Sequence, residues 1–225
     1  PNVIIAQERN VLKKDVADKK MNFEIYYHLL KNSRSFANKG RTAIGYDYSI
    51  PTQWQGRFTK LFVIGDKKAR VTSDRLRQNS QELLELQKII QIDINLIHMI
   101  RNPYDTITTL FKRQKEKNAT SFGDYITFFF QRVETIKRIE EIYPKIDIYH
   151  LRLEELITQP KLRLAELLTF LGLTASEEYL DDCAKLIYKS PRKTRYSIDW
   201  SEEQIERVKN EMTKYPYFKD YSFEN

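Results

Sequence analysis

Cysteine and long apolar runs are both nearly absent from this chain of 225 residues. Cys183 is the only cysteine, which excludes an internal disulfide and a zinc site built from several cysteines. That content fits a reducing compartment, and we expect a cytoplasmic protein. The longest apolar runs are far shorter than the ~20 residues that a helix needs to cross a bilayer. No charged and apolar signal segment is present, so we expect no membrane span.

The composition is that of a globular protein with a basic surface. Hydrophobic residues make up 41% of the chain and charged residues 31%, which excludes a disordered or membrane-spanning class. The net charge of +7 favours an anionic partner such as a nucleotide, a sulfated or phosphorylated compound, nucleic acid or an acidic surface. The same charge could equally serve solubility alone.

Short apolar stretches alternate along the chain with amphipathic ones. This alternation predicts an α/β fold, a central parallel sheet flanked by helices, formed by a single domain over residues 1–225. No internal repeat or domain boundary is visible. We predict strands at 3–6, 61–64, 95–100 and 146–151, and helices at 22–36, 74–90, 103–116, 124–142, 160–171, 176–188 and 201–214.

One strand-to-helix junction has the pattern of an anion site. The 95–100 strand ends at Arg101, and Pro103 follows where a helix can begin, since its missing N–H would have no partner there. Ligands of open α/β sheets bind at the carboxyl ends of strands, where Arg101 lies. Thr109 follows eight residues after Arg101, so a helix can turn its hydroxyl toward the same anion. The alternative is an ordinary junction with a solvated arginine.

Two further basic segments are candidates for ligand binding. The segment Lys189–Arg195 holds four cations in seven residues, two hydroxyls and no acid. Arginine offers a planar fork for a phosphate, whereas lysine supplies a point charge. Such a loop can also be solvated surface. The second segment, Gly65-Asp66-Lys67-Lys68, ends a predicted strand, where a lysine can reach across a cleft.

In order along the chain, these segments resemble the sulfotransferases that use 3′-phosphoadenosine 5′-phosphosulfate (PAPS). Arg101-Asn102-Pro103-Tyr104-Asp105 with Thr109 resembles their 3′-phosphate-binding segment. Lys189–Arg195, before a closing helix with Trp200, is similar to their second basic segment. The resemblance spans most of the chain and implies the sulfotransferase fold, which is related to that of P-loop kinases.

Two weaker matches support the same family. Tyr149–Leu156 resembles a strand-to-helix element of these enzymes, and Pro160 and a helix ending in Phe170-Leu171-Gly172-Leu173 follow it as they do in the family. Gly65-Asp66-Lys67 matches an acid–lysine pair at a strand end in carbohydrate-type and bacterial members.

The loop with which this family binds the 5′-phosphosulfate is missing from the sequence. In the family it lies at a helix N-terminus, just before a junction that Pro1-Asn2-Val3 resembles. The pattern G-x-x-x-x-G-K-[ST] is absent too. We therefore expect the first strand, this loop and its helix to be encoded upstream, and the chain as written to transfer no sulfuryl group. A degenerate member that lost the loop is the alternative.

The resemblance implies a role for each candidate residue. An acceptor hydroxyl or amine attacks sulfur in line, and adenosine 3′,5′-bisphosphate leaves. Lys67, with a cation of the missing loop, would neutralise charge on the leaving oxygen. Glu8 would be the general base, although it could instead pair with Arg9 or a solvent-facing partner. The residues implied to hold the 3′-phosphate are Arg101, Thr109, Arg192, Lys193 and Arg195.

Several alternatives stay open at this point. The basic surface could belong to a non-catalytic module that binds nucleic acid or a sulfated glycan, although aromatic residues do not alternate with the basic loop as in single-strand binders. A nucleotide kinase of related architecture is a third possibility, but the sequence has no Walker loop and no set of Asp residues suited to magnesium. We expect no metal. Tyr46, Tyr48, Trp54 and Phe58 could stack on adenine, line an acceptor pocket or cover the core. Neither the acceptor, a small molecule or a glycan, nor the oligomeric state follows from the sequence.

Overall fold

A computed structural model of the chain describes residues 3–37, 50, 57–114 and 121–225. The chain divides into two compact units, one ending at Ile94 and the other beginning at Asn95. Each unit contains one pair of parallel strands with helices packed around it.

The first unit is built on strands β1 (Val3–Gln7) and β2 (Val63–Lys67). They pair in parallel, so Gln7 lies opposite Lys67 at their carboxyl ends. A π-helical turn at Leu12–Val16 follows β1, and the helices are α1 (Asn22–Ser35), α2 (Ala69–Gln78) and α3 (Glu82–Ile90). The buried side chains of this unit include Ile4, Ala6, Leu12, Val16, Ile25, Leu29, Leu76 and Leu83.

The helix predicted at 74–90 is interrupted in the structure. Asn79 leaves the helical conformation, with φ −148° and ψ 93°, and its side-chain oxygen accepts the N–H of Gln81. Asparagine and serine favour such turns because their side chains compete for main-chain hydrogen bonds. The Arg75 guanidinium pairs with the Glu82 carboxylate across the break, which fixes α2 against α3.

The second unit is built on β3 (Leu96–Ile100) and β4 (Ile148–Arg152), which also pair in parallel. Short 3₁₀ turns at Thr194–Ser197 and Pro216–Phe218 complete it. Its helices are α4 (Pro103–Gln114), α5 (Phe122–Ile142), α6 (Leu153–Thr158), α7 (Pro160–Phe170), α8 (Glu177–Leu186) and α9 (Glu202–Met212).

Aromatic side chains dominate the core of the second unit, between α4, α5, α9 and the final segment, residues 215–225. Tyr104, Tyr125, Phe130, Tyr215 and Phe218 are all buried there. Trp200 packs against this core, edge-on to the rings of Tyr104 and Phe122, and its indole N–H donates to Thr108 at 3.2 Å.

The predicted α/β class with parallel strands and flanking helices is confirmed. The described strands, however, form two sheets of two strands each rather than one sheet. Alternation of strands and helices indicates parallel pairing but does not say which strands pair. Gly172 has φ 70° and ends α7, as predicted. In the described part of the chain, no helix is long and apolar enough to cross a membrane.

Candidate functional site

The two segments predicted to hold a phosphate lie together in the second unit. We call residues 101–109 the α4 junction and residues 189–196 the basic loop. The Arg101 guanidinium donates to the main-chain oxygen of Arg192. The hydroxyls of Thr109 and Thr194 lie 3.2 Å apart, and each also bonds the main-chain oxygen of Asp105. Residues 85 to 91 positions apart in sequence thus share one small surface.

Arg192 and Lys193 are exposed cations of the basic loop, as is Lys189 at its start. The Arg192 guanidinium lies over the ring of Tyr188, 5.3 Å from its centroid. The Lys193 ammonium reaches the main-chain oxygen of Glu224 at 3.3 Å. Both side chains are held by one weak contact each and can move toward a bound anion.

Arg195 has a different environment from its neighbours. Its side chain is 1% exposed and forms an ion pair with Asp105, itself 2% exposed, at 2.8 Å. A second nitrogen donates to the main-chain oxygen of Asn225 at 2.5 Å, and the Arg195 N–H donates to Asp105 at 2.9 Å. The sequence assigned Arg195 to the phosphate together with Arg192 and Lys193. In the structure, two of its guanidinium nitrogens bond Asp105 and Asn225, so Arg195 joins the basic loop to α4.

The start of α4 is fixed by contacts to segments outside the α4 junction and the basic loop. The Asn102 amide group donates to main-chain oxygens of Ser222 and Asn225 at 2.9 and 2.8 Å. Glu154, at the start of α6, accepts the Asn102 N–H at 3.0 Å and the Tyr221 hydroxyl at 2.5 Å. The strand-to-helix element around Glu154 and the final segment therefore position Arg101.

The two residues predicted to act in the transfer step, Glu8 and Lys67, lie together in the first unit. Glu8 comes directly after β1, and Lys67 is the last residue of β2. The Glu8 N–H donates to the main-chain oxygen of Lys67 at 3.1 Å. The Lys67 ammonium lies 3.6 Å from one Glu8 carboxylate oxygen, and that of Lys68 lies 2.7 Å from the other. Lys68, which sequence reasoning did not single out, is the closer cation.

These cations set the charge state of Glu8. The hydrogen bond from Lys68 is the largest cause that lowers the pKa of the Glu8 carboxyl below its ordinary value, with the charges of Lys68 and Lys67 acting in the same direction. About half of the Glu8 side chain is exposed. The carboxylate is therefore ionised at neutral pH and accessible to a proton donor from solution.

The segment after Glu8 is held by polar contacts to the buried side chain of Asp15. Asp15 is fully buried and accepts the Arg9 guanidinium at 2.6 and 3.1 Å. The imidazole Nδ1 of His28, on α1, lies 2.9 Å from the same carboxylate. Arg9 thus pairs with Asp15 and not with Glu8, which removes one of the two alternative partners considered for Glu8.

The other two histidines form a pair on β3 and β4. His98 lies opposite His150, with their Nδ1 atoms 3.0 Å apart, and His150 bonds Glu140 at 2.6 Å. Burial, aided by the charge of His150, lowers the pKa of His98 to about 4. The Tyr217 ring stacks on His150 with centroids 4.9 Å apart. His98 thus lies in a side-chain cluster with His150 and Tyr217.

The α4 junction and basic loop together have the donor chemistry of an anion site. The Arg101 Nε atom is buried and has no hydrogen-bond partner among the described residues. The same two segments supply two hydroxyls, of Thr109 and Thr194, and the exposed cations Arg192 and Lys193. Residues 3–37, 57–114 and 121–225 contain no group of three or more His, Cys, Asp or Glu side chains placed to hold a metal. Tyr46, Tyr48 and Trp54 lie outside the described residues.

Comparison with known families gives one result. The model of the sulfotransferase domain family matches residues 10–219, which is most of the chain and includes Lys67, the α4 junction and the basic loop. A comparison with curated proteins found no match.

Proposed function

Since the chain belongs to the sulfotransferase domain family, we propose that it transfers a sulfuryl group from PAPS to a hydroxyl or amine of a small-molecule or glycan acceptor. The observation that carries the proposal is the meeting of the α4 junction with the basic loop, where Arg101 bonds Arg192 and Thr109 meets Thr194. A protein that only needed a basic surface would not require these two distant segments to interlock through an arginine and two hydroxyls.

In this proposal the α4 junction and the basic loop bind the 3′-phosphate of the nucleotide. Arg101 contributes its unpartnered Nε donor, and the hydroxyl hydrogens of Thr109 and Thr194 can rotate toward an oxygen. Arg192 and Lys193 add charge from exposed positions. Arg195 positions the loop through Asp105. Charge-assisted hydrogen bonds of this kind are the strong ones in phosphate recognition.

Glu8 and Lys67 carry the proposed transfer step. When bound, PAPS supplies the sulfuryl group and a nucleotide bisphosphate as leaving group. The Glu8 carboxylate takes the proton of the acceptor, which its ionised state at neutral pH permits. Lys67, with 59% of its side chain exposed, offers positive charge to the leaving oxygen. Transfer of this type needs positioning and charge stabilisation more than covalent chemistry by the protein.

The proposal is tested by calorimetric titration of the chain with adenosine 3′,5′-bisphosphate and, separately, with adenosine 5′-monophosphate. We expect Arg101→Ala to weaken binding of the bisphosphate by at least ~1.5 kcal/mol, the scale of a charge-assisted hydrogen bond. Binding of the monophosphate should not change. Arg113→Ala is the matched control, because Arg113 is an exposed arginine in the last turn of the same helix.

Arg101 also supports the fold through Arg192, so a second variant is needed. The double variant Arg192→Gln, Lys193→Gln removes two charges from exposed positions. It should weaken binding of the bisphosphate without unfolding the chain. Equal losses for both nucleotides would contradict the assignment of the 3′-phosphate. Affinity for nucleic acid or a sulfated glycan that falls steeply with salt, together with indifference to nucleotide, would support the polyanion-binding module instead.

A further inference from the structure

The four residues after β1 are held by the end of β2 in an unusual way. We call residues 8–11 the Glu8 loop. The N–H of Glu8 donates to the Lys67 oxygen, and the next three N–H groups all donate to the Asp66 side chain. Arg9 donates at 2.9 Å to one carboxylate oxygen of Asp66, and Asn10 and Val11 donate at 2.6 and 3.0 Å to the other. One carboxylate thus receives three consecutive main-chain donors.

The main chain at Glu8 adopts a conformation that it would not choose alone. Glu8 has φ 55° and Asn10 has φ 67°, both in the left-handed region. Asparagine tolerates this region, but for glutamate the Cβ atom disfavours it. A residue stays in such a conformation only where surrounding contacts determine it, and such positions concentrate at functional sites. Here the contacts come from Asp66.

The left-handed turn directs the Glu8 side chain back over the end of β2. Its carboxylate lies against the ammonium groups of Lys67 and Lys68, the two residues that directly follow Asp66. The same short segment therefore supplies the carboxylate that holds the Glu8 main chain and the cations that hold the Glu8 side chain. Loss of the Asp66 contacts would release both together.

We propose that Asp66 is a positioning residue for the general base Glu8. It fixes the Glu8 loop through the N–H groups of residues 9–11 and so keeps the Glu8 carboxylate beside Lys67 and Lys68. The role of Glu8 as a base rests on the proposed function, whereas the positioning of its carboxylate by Asp66 is a property of the fold. A purely structural aspartate would affect stability but would have no specific effect on Glu8.

The test compares Asp66→Asn with Asp18→Asn in the chain as it exists. The amide group that Asp66→Asn introduces carries no charge, and its single oxygen cannot serve all three donors. Asp18 is exposed in the same unit, so its variant makes the same change of charge without the contacts. The first readout is the titration of the Glu8 carboxyl by NMR, and the second is hydrogen exchange of the amides of residues 9–11.

Asp66→Asn should return the pKa of Glu8 toward its ordinary value and speed exchange of the three amides at least tenfold. Asp18→Asn should change neither. These readouts need no PAPS and no acceptor, so they stand even where the proposed function fails. An unchanged Glu8 titration in Asp66→Asn would overturn the inference, and so would amides that exchange as slowly as in the parent chain. Global unfolding, seen as loss of protection in β1 and β2 alike, would also count against it.

Kinetics supply the arm that depends on the proposed function. In the form extended upstream with the phosphosulfate loop, with PAPS as donor and methyl glucoside as acceptor, Asp66→Asn should lower kcat about tenfold with KM for PAPS unchanged. In a Glu8→Gln background the same substitution should have no further effect, because both changes act through one carboxylate. Multiplicative losses would overturn the positioning role. An inactive extended form, with the NMR results as expected, would count against the proposed function alone.

Discussion

The buried ion pair between Arg195 and Asp105 permits a quantitative prediction. Both side chains are at most 2% exposed, and the pair joins the basic loop to α4. Arg195→Met preserves most of the apolar volume and removes the charge, which leaves the Asp105 carboxylate buried with only the Arg195 N–H and the Thr194 hydroxyl as donors. Breaking a buried pair from one side costs about 3–5 kcal/mol.

Because Asp105 keeps two donors, we place the loss for Arg195→Met at the lower end, about 3 kcal/mol of unfolding free energy. Asp105→Asn should lose a similar amount, since it leaves the guanidinium with the main-chain oxygen of Asn225 and the ring of Tyr196 but without a carboxylate. The double variant removes both charges, so we expect it to lose at least ~2 kcal/mol less than the sum of the single losses.

The assay is urea unfolding at pH 7 and 15 °C, followed by far-ultraviolet circular dichroism. Arg207→Met is the matched control, because Arg207 is an exposed arginine that bonds Gly123 and Thr127, and its loss should stay below about 1 kcal/mol. A loss for Arg195→Met as small as that of the control would refute the reasoning. So would additive losses in the double variant.

Two further predictions concern stability. Burial lowers the pKa of His98 to about 4, so as the pH falls the unfolded chain binds a proton at this histidine before the folded chain does. The free energy of unfolding should therefore decline from about pH 6.5 toward pH 4, by up to about 1.4 kcal/mol per pH unit. Urea unfolding at stepped pH values measures this, and His98→Phe should flatten the profile. Gly172→Ala should lose about 1 kcal/mol in thermal unfolding because φ is 70°, whereas Gly123→Ala, at the start of α5, should be neutral or stabilising.

The fold class and most elements could be predicted from the sequence because they follow from local patterns. The strand before Arg101 and the helix from Pro103 lie where the apolar run and the proline indicated. The break at Asn79 was not predicted, because apolar spacing continues through it. The helix α6 is too brief to show a period and was indicated only by the resemblance of Tyr149–Leu156 to a strand-to-helix element. Strand partners depend on contacts between distant residues.

The candidate site was predictable in part for the same reason. Charge and spacing identified Arg101 and the basic loop, and the family resemblance implied roles for Glu8 and Lys67. Each set lies together in its own unit. Charge alone could not show that Arg195 is enclosed while Arg192 is exposed, since both belong to one run of cations. Asp66 stood out only as the acid beside Lys67. Its contacts with the Glu8 loop could not be predicted, because those partners lie 55 to 57 positions away.

Trp200 gives the second unit an optical reporter. Its indole N–H is bonded to Thr108, which lies on α4 three residues after Asp105, the partner of Arg195. The chain has only one other tryptophan, Trp54, and Trp54→Phe would leave a single emitter. The emission of that indole depends on its hydrogen bond and on the rings of Tyr104 and Phe122 around it. Changes that loosen α4 from the basic loop can therefore be followed by fluorescence, without a label and at low protein concentration.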